Sequence, residues 1–131
     1  MISNKIKKLR HFLKLNNLDG YIVPKNDQFF SEYADPNRLK EISNFKGSAG
    51  LAVILINKNF LFVDGRYTLQ AKIEAGKNFY IYEIPKFMPF EILKKNKKLS
   101  LGFDPKLFTN SSIERNFKDA CNLFALNQNL I

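Results

Sequence analysis

The sequence has 131 residues, 45% of them hydrophobic and 25% charged, and a formal net charge of +9 at pH 7. This length fits a single domain with a buried core, and the composition excludes a disordered chain. Its one cysteine, Cys121, cannot form an internal disulfide, and no signal peptide is recognisable, so a cytoplasmic location is predicted. The apolar run over residues 51–56 is far shorter than the roughly 20 residues that span a bilayer, so no membrane partner is expected.

The positive charge raises the possibility of nucleic-acid binding, because a basic surface gains affinity by releasing counterions from phosphates. Most of the basic residues are lysines, dispersed along the chain, and arginine is the better ligand for phosphate. The one dense run, Lys94, Lys95, Lys97 and Lys98, is typical of a solvated loop. No nucleic-acid partner is expected, and a small basic nucleic-acid-binding domain is the less favoured alternative.

The first predicted element is an amphipathic helix over residues 3–16, because its apolar residues recur at helical spacing. They are Ile6, Leu9, Phe12 and Leu13. This helix carries the only histidine, His11, which has no Cys, Asp or Glu at ligand spacing and is not expected to bind metal. A turn at Asp19 then leads into a central strand over residues 21–23, ended by Pro24.

A polar loop over residues 25–36 follows the carboxyl end of this strand, the position at which open α/β sheets usually bind ligands. Its candidate contact residues are Ser31, Glu32 and Tyr33. A short helix over residues 37–45 is predicted next, with Leu39 and Ile42 facing inward.

The glycine-rich segment over residues 47–50 could in principle bind an anion, but a phosphate-binding loop needs a helix directly after it. A strand over residues 51–56 follows instead, so the glycines are predicted to allow a tight, closely packed turn. The turn at residues 57–59 joins this strand to another over residues 60–63 as an antiparallel hairpin. Both strands are apolar on both faces, which predicts helices on both sides of the sheet.

Asp64 follows the hairpin at the position of an N-cap for a helix that ends at Gly76. Arg66 lies in the first turn of that helix, where a cation opposes the helix dipole by roughly 0.3–1 kcal/mol. It is therefore expected to pair with a carboxylate or to face a partner. Asp64, Arg66 and Tyr67 are candidate contact residues.

The remaining strands are predicted over residues 79–84, 99–103 and 123–126. A short helix is predicted over residues 89–93, and Ser111 is predicted to open the last helix in a capping box with Glu114. Cys121 is expected to pack as a small apolar residue. The elements together predict an α/β fold in one domain over residues 1–131.

Candidate catalytic groups are few, since the chain has one Cys, one His and scattered carboxylates. No catalytic, cofactor-binding or metal-binding residue is assigned. Spacing alone leaves open a metal site built from carboxylates, but caps, turns and surface ion pairs account for these acids. The residues by themselves favour a non-catalytic α/β interaction domain.

Four motifs nevertheless occur in an order that resembles one family. They are Tyr21-Ile22-Val23-Pro24, Ser31-Glu32-Tyr33, Ile42-Ser43-Asn44-Phe45-Lys46-Gly47-Ser48-Ala49-Gly50, and Val63-Asp64-Gly65-Arg66-Tyr67. With Gly102-Phe103-Asp104-Pro105 after them, the chain resembles the creatinase/prolidase N-terminal domain of Xaa-Pro aminopeptidases, and most of all the three-domain aminopeptidase P type. It departs from that pattern at Phe29 and Phe30, which replace a more polar stretch.

The resemblance implies a ribonuclease-H-like, three-layer α/β/α sandwich around a mixed sheet of five to six strands. It also implies that the chain alone is not an enzyme, because the family's dinuclear metal, commonly manganese, lies in a later pita-bread catalytic domain that this chain lacks. The chain is expected to be a piece of a metallo-aminopeptidase, a hydrolase of peptides with proline at the second position. Its implied partners are that catalytic domain and a second copy in a homodimer, and its implied role is dimer assembly and shaping of the substrate cleft. A creatinase or prolidase-type parent is the alternative.

Overall fold

The computed structural model describes residues 2–24, 38–47, 50–94, 98–118 and 120–126. These form a six-stranded sheet in the order β4-β3-β2-β1-β5-β6. The strands are β1 (Gly20–Pro24), β2 (Leu51–Leu55), β3 (Asn59–Asp64), β4 (Tyr80–Ile84), β5 (Leu99–Phe103) and β6 (Cys121–Ala125). Strand β2 is antiparallel to β1 and β3, whereas the β1–β5, β5–β6 and β3–β4 pairs are parallel. The predicted mixed sheet with an antiparallel hairpin is confirmed.

Helices cover both faces of the sheet, which confirms the three-layer α/β/α prediction. They are α1 (Ile2–Leu15), α2 (Arg38–Ser43), α3 (Thr68–Ala75), α4 (Pro89–Leu93) and α5 (Asn110–Phe117), with short 3₁₀ helices at Gly65–Tyr67 and Pro105–Leu107. The buried residues of α1, α2 and α3 pack on one face, and those of α4 and α5 pack on the other. None of the helices in the described residues is both long and apolar enough to cross a membrane.

The alternation of side chains along the central strands divides the core between the two faces. In β2, Ala52 and Ile54 belong to the cluster under α1–α3, whereas Leu51, Val53 and Leu55 belong to the cluster under α4 and α5. All five residues of β1 and of β2 are buried. A strand that is apolar on both faces needs a helix on each side, and the structure provides both.

A hydrogen-bond chain fastens α1 to the hairpin. Arg10 donates from Nε to the Leu55 carbonyl at 2.8 Å and from its terminal nitrogen to Asn59 Oδ1 at 2.7 Å. Asn59 in turn donates to the Asn78 carbonyl at 3.0 Å. The helix, the hairpin and the turn before β4 are therefore held as one unit.

Several helix ends differ from their predicted positions. Asp64 caps a 3₁₀ turn at Gly65–Tyr67, and α3 begins only at Thr68, so Asp64 is not the N-cap of α3 itself. The last helix begins at Asn110, and its N-cap is Thr109, whose hydroxyl accepts from the Ser112 amide at 3.0 Å. The prediction of Ser111 as the cap was wrong, because the helix already begins at Asn110 and Ser111 lies inside its first turn. The second helix ends at Ser43 because Asn44 adopts a left-handed conformation with φ 68°.

Candidate functional site

The carboxyl ends of β1, β3 and β4 meet the amino end of β2 at one edge of the sheet, and a groove of about 380 Å³ opens there. Its apolar lining is Pro24, Leu51, Ile84, Pro85, Met88 and Phe108, and its polar lining is Asp64, Ser112, Arg115 and Asn116. This is the edge at which open α/β sheets bind ligands, because the connections that leave parallel strands diverge there.

Asp64 enters this groove as the last residue of β3 and caps the 3₁₀ turn Gly65–Tyr67. Its carboxylate accepts from the Arg66 backbone amide at 2.9 Å and from Arg66 Nε at 3.1 Å. The Arg66 guanidinium also lies 5.3 Å from the centre of the Tyr67 ring. The carboxylate predicted to balance this arginine is therefore Asp64, within the same domain.

The turn favours the ionised form of the Asp64 carboxyl. The Arg66 backbone N–H, followed by its side-chain hydrogen bond, holds the pKa of the Asp64 carboxyl below its ordinary value. The side chains of Arg66 and Asp64 are 74% and 45% exposed, so solvent screens the pair and its contribution to stability is small. The pair orients two charges at the edge of the groove more than it stabilises the domain.

Tyr67 connects this turn to the glycine-rich segment. Its ring meets Phe45 edge-to-face, with ring centres 6.2 Å apart, and Phe45 is fully buried. A Cβ on Gly47 would collide with the Phe45 ring, and one on Gly50 would lie 3.1 Å from it. The glycines thus allow the backbone to wrap around a buried ring, as predicted; residues 48 and 49 lie outside the described part of the chain.

Glu74 on α3 holds the same segment from the other side. Its carboxylate accepts from the Lys46 backbone amide at 2.8 Å and from Gln70 at 3.2 Å. The Asp64 turn, the Phe45 segment and α3 therefore form one connected support for the groove edge.

The opposite wall of the groove comes from α5, a helix for which no contact role was predicted. Ser112, Arg115 and Asn116 share one helix face at spacings of three and four residues, and Asn116 donates to the Ser112 carbonyl at 2.8 Å. That spacing was the only available signal, and it is equally typical of a solvent-exposed face. Arg115 places a cation on the wall of the groove, whereas Arg66 is not among the lining residues.

The other predicted contacts cannot be placed, since Ser31, Glu32 and Tyr33 lie outside the described residues. Arg66 and Tyr67 belong to the turn that Asp64 caps, but only Asp64 is among the lining residues of the groove. Of the predicted lysine run, Lys94 follows α4 and Lys98 precedes β5, and the residues between them are not described.

A resident metal does not fit the described residues, because they contain no group of three or more His, Cys, Asp or Glu side chains that could hold one. His11 is exposed on α1. Cys121 is buried in β6, and burial raises the pKa of its thiol to about 11, so the thiolate that binds metals or attacks electrophiles is disfavoured.

The mixed sheet, the helices on both faces and the groove at the carboxyl edge define a three-layer α/β/α domain. The family model for the creatinase/prolidase N-terminal domain matches residues 5–124, and the chain belongs to this family.

Known relatives agree with this placement. The chain is 38% identical over 115 residues to Xaa-Pro aminopeptidase 1 of Dictyostelium discoideum, which covers 82% of this chain and 18% of that protein. The chain therefore spans about a fifth of the length of this relative.

Solved structures share the fold. The X-prolyl aminopeptidase of Caenorhabditis elegans, a cytosolic enzyme with a di-nuclear active site, matches with a TM-score of 0.84 and 26% identity, over 99% of this chain and 25% of that one. An Xaa-Pro aminopeptidase structure from Streptococcus pyogenes matches with a TM-score of 0.72 and 20% identity, over 95% of this chain and 91% of that one. The second likeness is one of fold alone.

Proposed function

We propose that this chain is the non-catalytic N-terminal domain of a metal-dependent Xaa-Pro aminopeptidase. The observation that carries the proposal is its 38% identity, within the family, to an Xaa-Pro aminopeptidase about five times longer. The chain forms one domain over residues 1–131, and the pita-bread catalytic domain is a separate part of the parent protein. Its role is to assemble the dimer and to shape the substrate cleft.

The groove at the carboxyl edge supports the cleft-shaping role. Asp64 and Arg115 bring opposite charges to a concave surface that is otherwise mostly apolar, a composition suited to a peptide with a proline ring and polar main-chain groups. The Asp64–Arg66 pair holds its charges in place without a contribution from the catalytic domain. This edge faces the substrate cleft and restricts access to peptides with proline at the second position.

The dinuclear metal, proposed to be manganese, belongs to the catalytic domain, where it would supply an activated water for hydrolysis. Support comes from the di-nuclear active site of the C. elegans enzyme. The described residues of this chain do not fit a metal, so no catalytic step is assigned to them. A cytoplasmic location is proposed because that same enzyme is cytosolic.

A prolidase-type parent is the second candidate. A prolidase from Pyrococcus horikoshii shares the fold with a TM-score of 0.67, but its identity is only 19%. The greater identity to the Dictyostelium aminopeptidase favours the aminopeptidase function.

The first test uses the purified chain with manganese and a peptide that carries proline at the second position. We expect no hydrolysis. Cleavage that co-purifies with the protein and is stopped by a chelator would overturn the non-catalytic assignment.

The second test replaces the matching segment of the Dictyostelium enzyme with this chain. The chimera should hydrolyse the same peptide, and Arg66→Ala in the chimera should raise KM more than it lowers kcat, because this residue orients the groove edge and touches no reacting atom. Lys58→Ala, in the exposed β2–β3 turn, is the matched control. A folded chimera that binds manganese but has lost Xaa-Pro cleavage would contradict the proposed function, and equal kinetics for both variants would contradict the gating role.

A further inference from the structure

The two charged side chains that line the groove, Asp64 and Arg115, stand on different walls. Asp64 is the last residue of β3, and Arg115 lies on α5. The groove encloses about 380 Å³. This volume is near the lower end of the range for small-ligand sites, roughly 300–1,000 Å³, and suits a peptide of about two or three residues.

Asp64 has one carboxylate oxygen available to a ligand. Its hydrogen bonds from the Arg66 backbone amide and from Arg66 Nε both reach the same atom, Oδ1. Within the described part of the chain, no hydrogen bond reaches Asp64 Oδ2. An ionised carboxylate oxygen is a strong acceptor for the N–H groups of an ammonium ion, so Oδ2 is a site for a cationic amine.

An apolar surface lies directly beside this oxygen. Asp64 is paired in register with Ile84 of β4, and both Ile84 and the following Pro85 line the groove. An N-terminal proline matches this arrangement, because its charged nitrogen is a member of the pyrrolidine ring. One rigid group then carries both the N–H donors and the apolar methylenes.

The α5 wall offers a cation to the other end of such a peptide. Arg115 is exposed, and the described residues supply neither a hydrogen bond nor an ion pair to its guanidinium. A guanidinium matches a carboxylate with two parallel N–H donors. The Phe108 ring beside it is held edge-to-face by Phe103, with ring centres 5.8 Å apart. A lining that is ordered in advance loses little entropy when a ligand binds.

We propose that the groove binds short peptides that begin with proline. The ring nitrogen donates to Asp64 Oδ2, the ring packs on Ile84 and Pro85, and the terminal carboxylate pairs with Arg115. Cleavage of the bond before proline releases a peptide of this kind, so the ligand is the product of the proposed function, on which this inference rests. The bound product occupies the groove that the next substrate approaches and therefore competes with it.

The position of the ring distinguishes this product from a substrate. A peptide with proline at the second position carries its ammonium on the residue before the ring. With that ammonium on Asp64, the ring would lie about 3.8 Å farther along the chain, the spacing of neighbouring Cα atoms. The apolar contact beside Asp64 would then be lost, so the substrate should bind this groove more weakly than the product.

An NMR titration of the isotope-labelled chain with the tripeptide Pro-Ala-Ala tests the proposal. We expect saturable shifts at the Asp64 and Ile84 amides with a Kd of about 1 mM, because partly exposed ion pairs are weak. Acetylating the proline nitrogen or amidating the carboxyl end should each weaken binding about two- to fivefold, and Ala-Pro-Ala should also bind more weakly. The proposal is overturned if no saturable shift occurs up to about 20 mM, or if the acetylated peptide or Ala-Pro-Ala binds as tightly as Pro-Ala-Ala.

Two variants assign the ends of the peptide. Arg115→Gln should weaken binding of Pro-Ala-Ala about two- to fivefold but leave binding of its amide unchanged, since the amide has no carboxylate to lose. Asp64→Asn should weaken Pro-Ala-Ala but not its acetylated form. Lys58→Gln is the matched control, because it removes one positive charge from the exposed β2–β3 turn at the opposite edge of the sheet. Equal losses for Arg115→Gln and Lys58→Gln would show a general charge effect and refute the site.

These measurements are independent of peptide hydrolysis, because they use the chain alone without metal. An active chimera together with a chain that binds no proline peptide would keep the proposed function and overturn only the product site. Circular dichroism of each variant confirms that the domain is folded.

Discussion

Replacing Gly47 with alanine tests the packing of the glycine-rich segment. The added Cβ would lie closest to Cζ of Phe45 and 2.8 Å from each of its Cε carbons. The ring cannot swing away, because Phe45 is fully buried and its edge meets Tyr67. None of the described glycines has a positive φ, so the cost of this substitution is steric and does not come from backbone strain.

Overpacking of this kind typically costs about 1–3 kcal/mol. Alanine in place of a glycine that has free space around it has the opposite effect on stability. It lowers the conformational entropy of the unfolded chain and so stabilises the protein by about 0.4–1 kcal/mol. Gly65 is the matched control, because its added Cβ would meet the carboxylate of Glu83 at 3.2 Å, the mobile end of a flexible side chain. The two variants should therefore differ by about 1–3 kcal/mol.

Urea unfolding of the chain measures this difference. Gly47→Ala should lower the midpoint, and adding Phe45→Leu should recover part of the loss, although Phe45→Leu alone destabilises. Gly65→Ala should change the free energy of unfolding by less than about 0.5 kcal/mol. If Gly47→Ala is as stable as the wild type, the segment does not wrap around Phe45 as described.

Three further measurements check the caps and the ionisable groups. Thr109→Ala should lower the free energy of unfolding by about 1 kcal/mol, because the Thr109 hydroxyl caps α5. Ser111→Ala should lower it by less. Equal losses for the two variants would contradict the assignment of Thr109 as the cap. The Asp64 carboxyl should titrate below its ordinary pKa by NMR, and Arg66→Ala should raise that pKa only part of the way, because the backbone N–H bond remains. Because the pKa of Asp64 is lower in the folded state, ionised Asp64 stabilises the fold above its unfolded-state pKa, and this stabilisation is lost as the pH falls through its folded-state pKa. An unshifted titration of Asp64 would contradict the turn geometry. Burial raises the pKa of the Cys121 thiol to about 11. The thiol should therefore react with a disulfide reagent at about pH 8 only when the protein unfolds locally or globally. Rapid labelling of the native chain would refute the burial of Cys121. Because the folded state favours the neutral Cys121 thiol, the free energy of unfolding is unaffected below the unfolded-state pKa of the thiol and falls as the pH rises toward its folded-state pKa.

Elements with strong local patterns were predicted well. The hairpin of β2 and β3 follows from two apolar runs around a short polar turn, and the inward side of α2 follows from the spacing of Leu39 and Ile42, which are both buried. Element ends were less accurate, because caps depend on single hydrogen bonds. Ser111 carries a hydroxyl that can cap a helix, but the structure begins the helix one residue before it, and the Thr109 hydroxyl accepts from the Ser112 amide.

The candidate site was predicted in part. The charge of Arg66 at a helix start pointed to a carboxylate partner, and Asp64 two residues away supplies it. The contribution of α5 to the groove was not predicted. Arg115 lies 51 residues after Asp64 in the chain, and no local sequence pattern indicates that the two segments meet.

The sequence by itself determined the α/β class, the inward sides of α1 and α2, and the four motifs that resemble the family, because these depend on residues within a few positions of one another. The tertiary structure alone decided the strand order and the groove between Asp64 and Arg115. Those features are set by contacts between segments far apart in the chain, and their energies arise only when the whole sheet has formed.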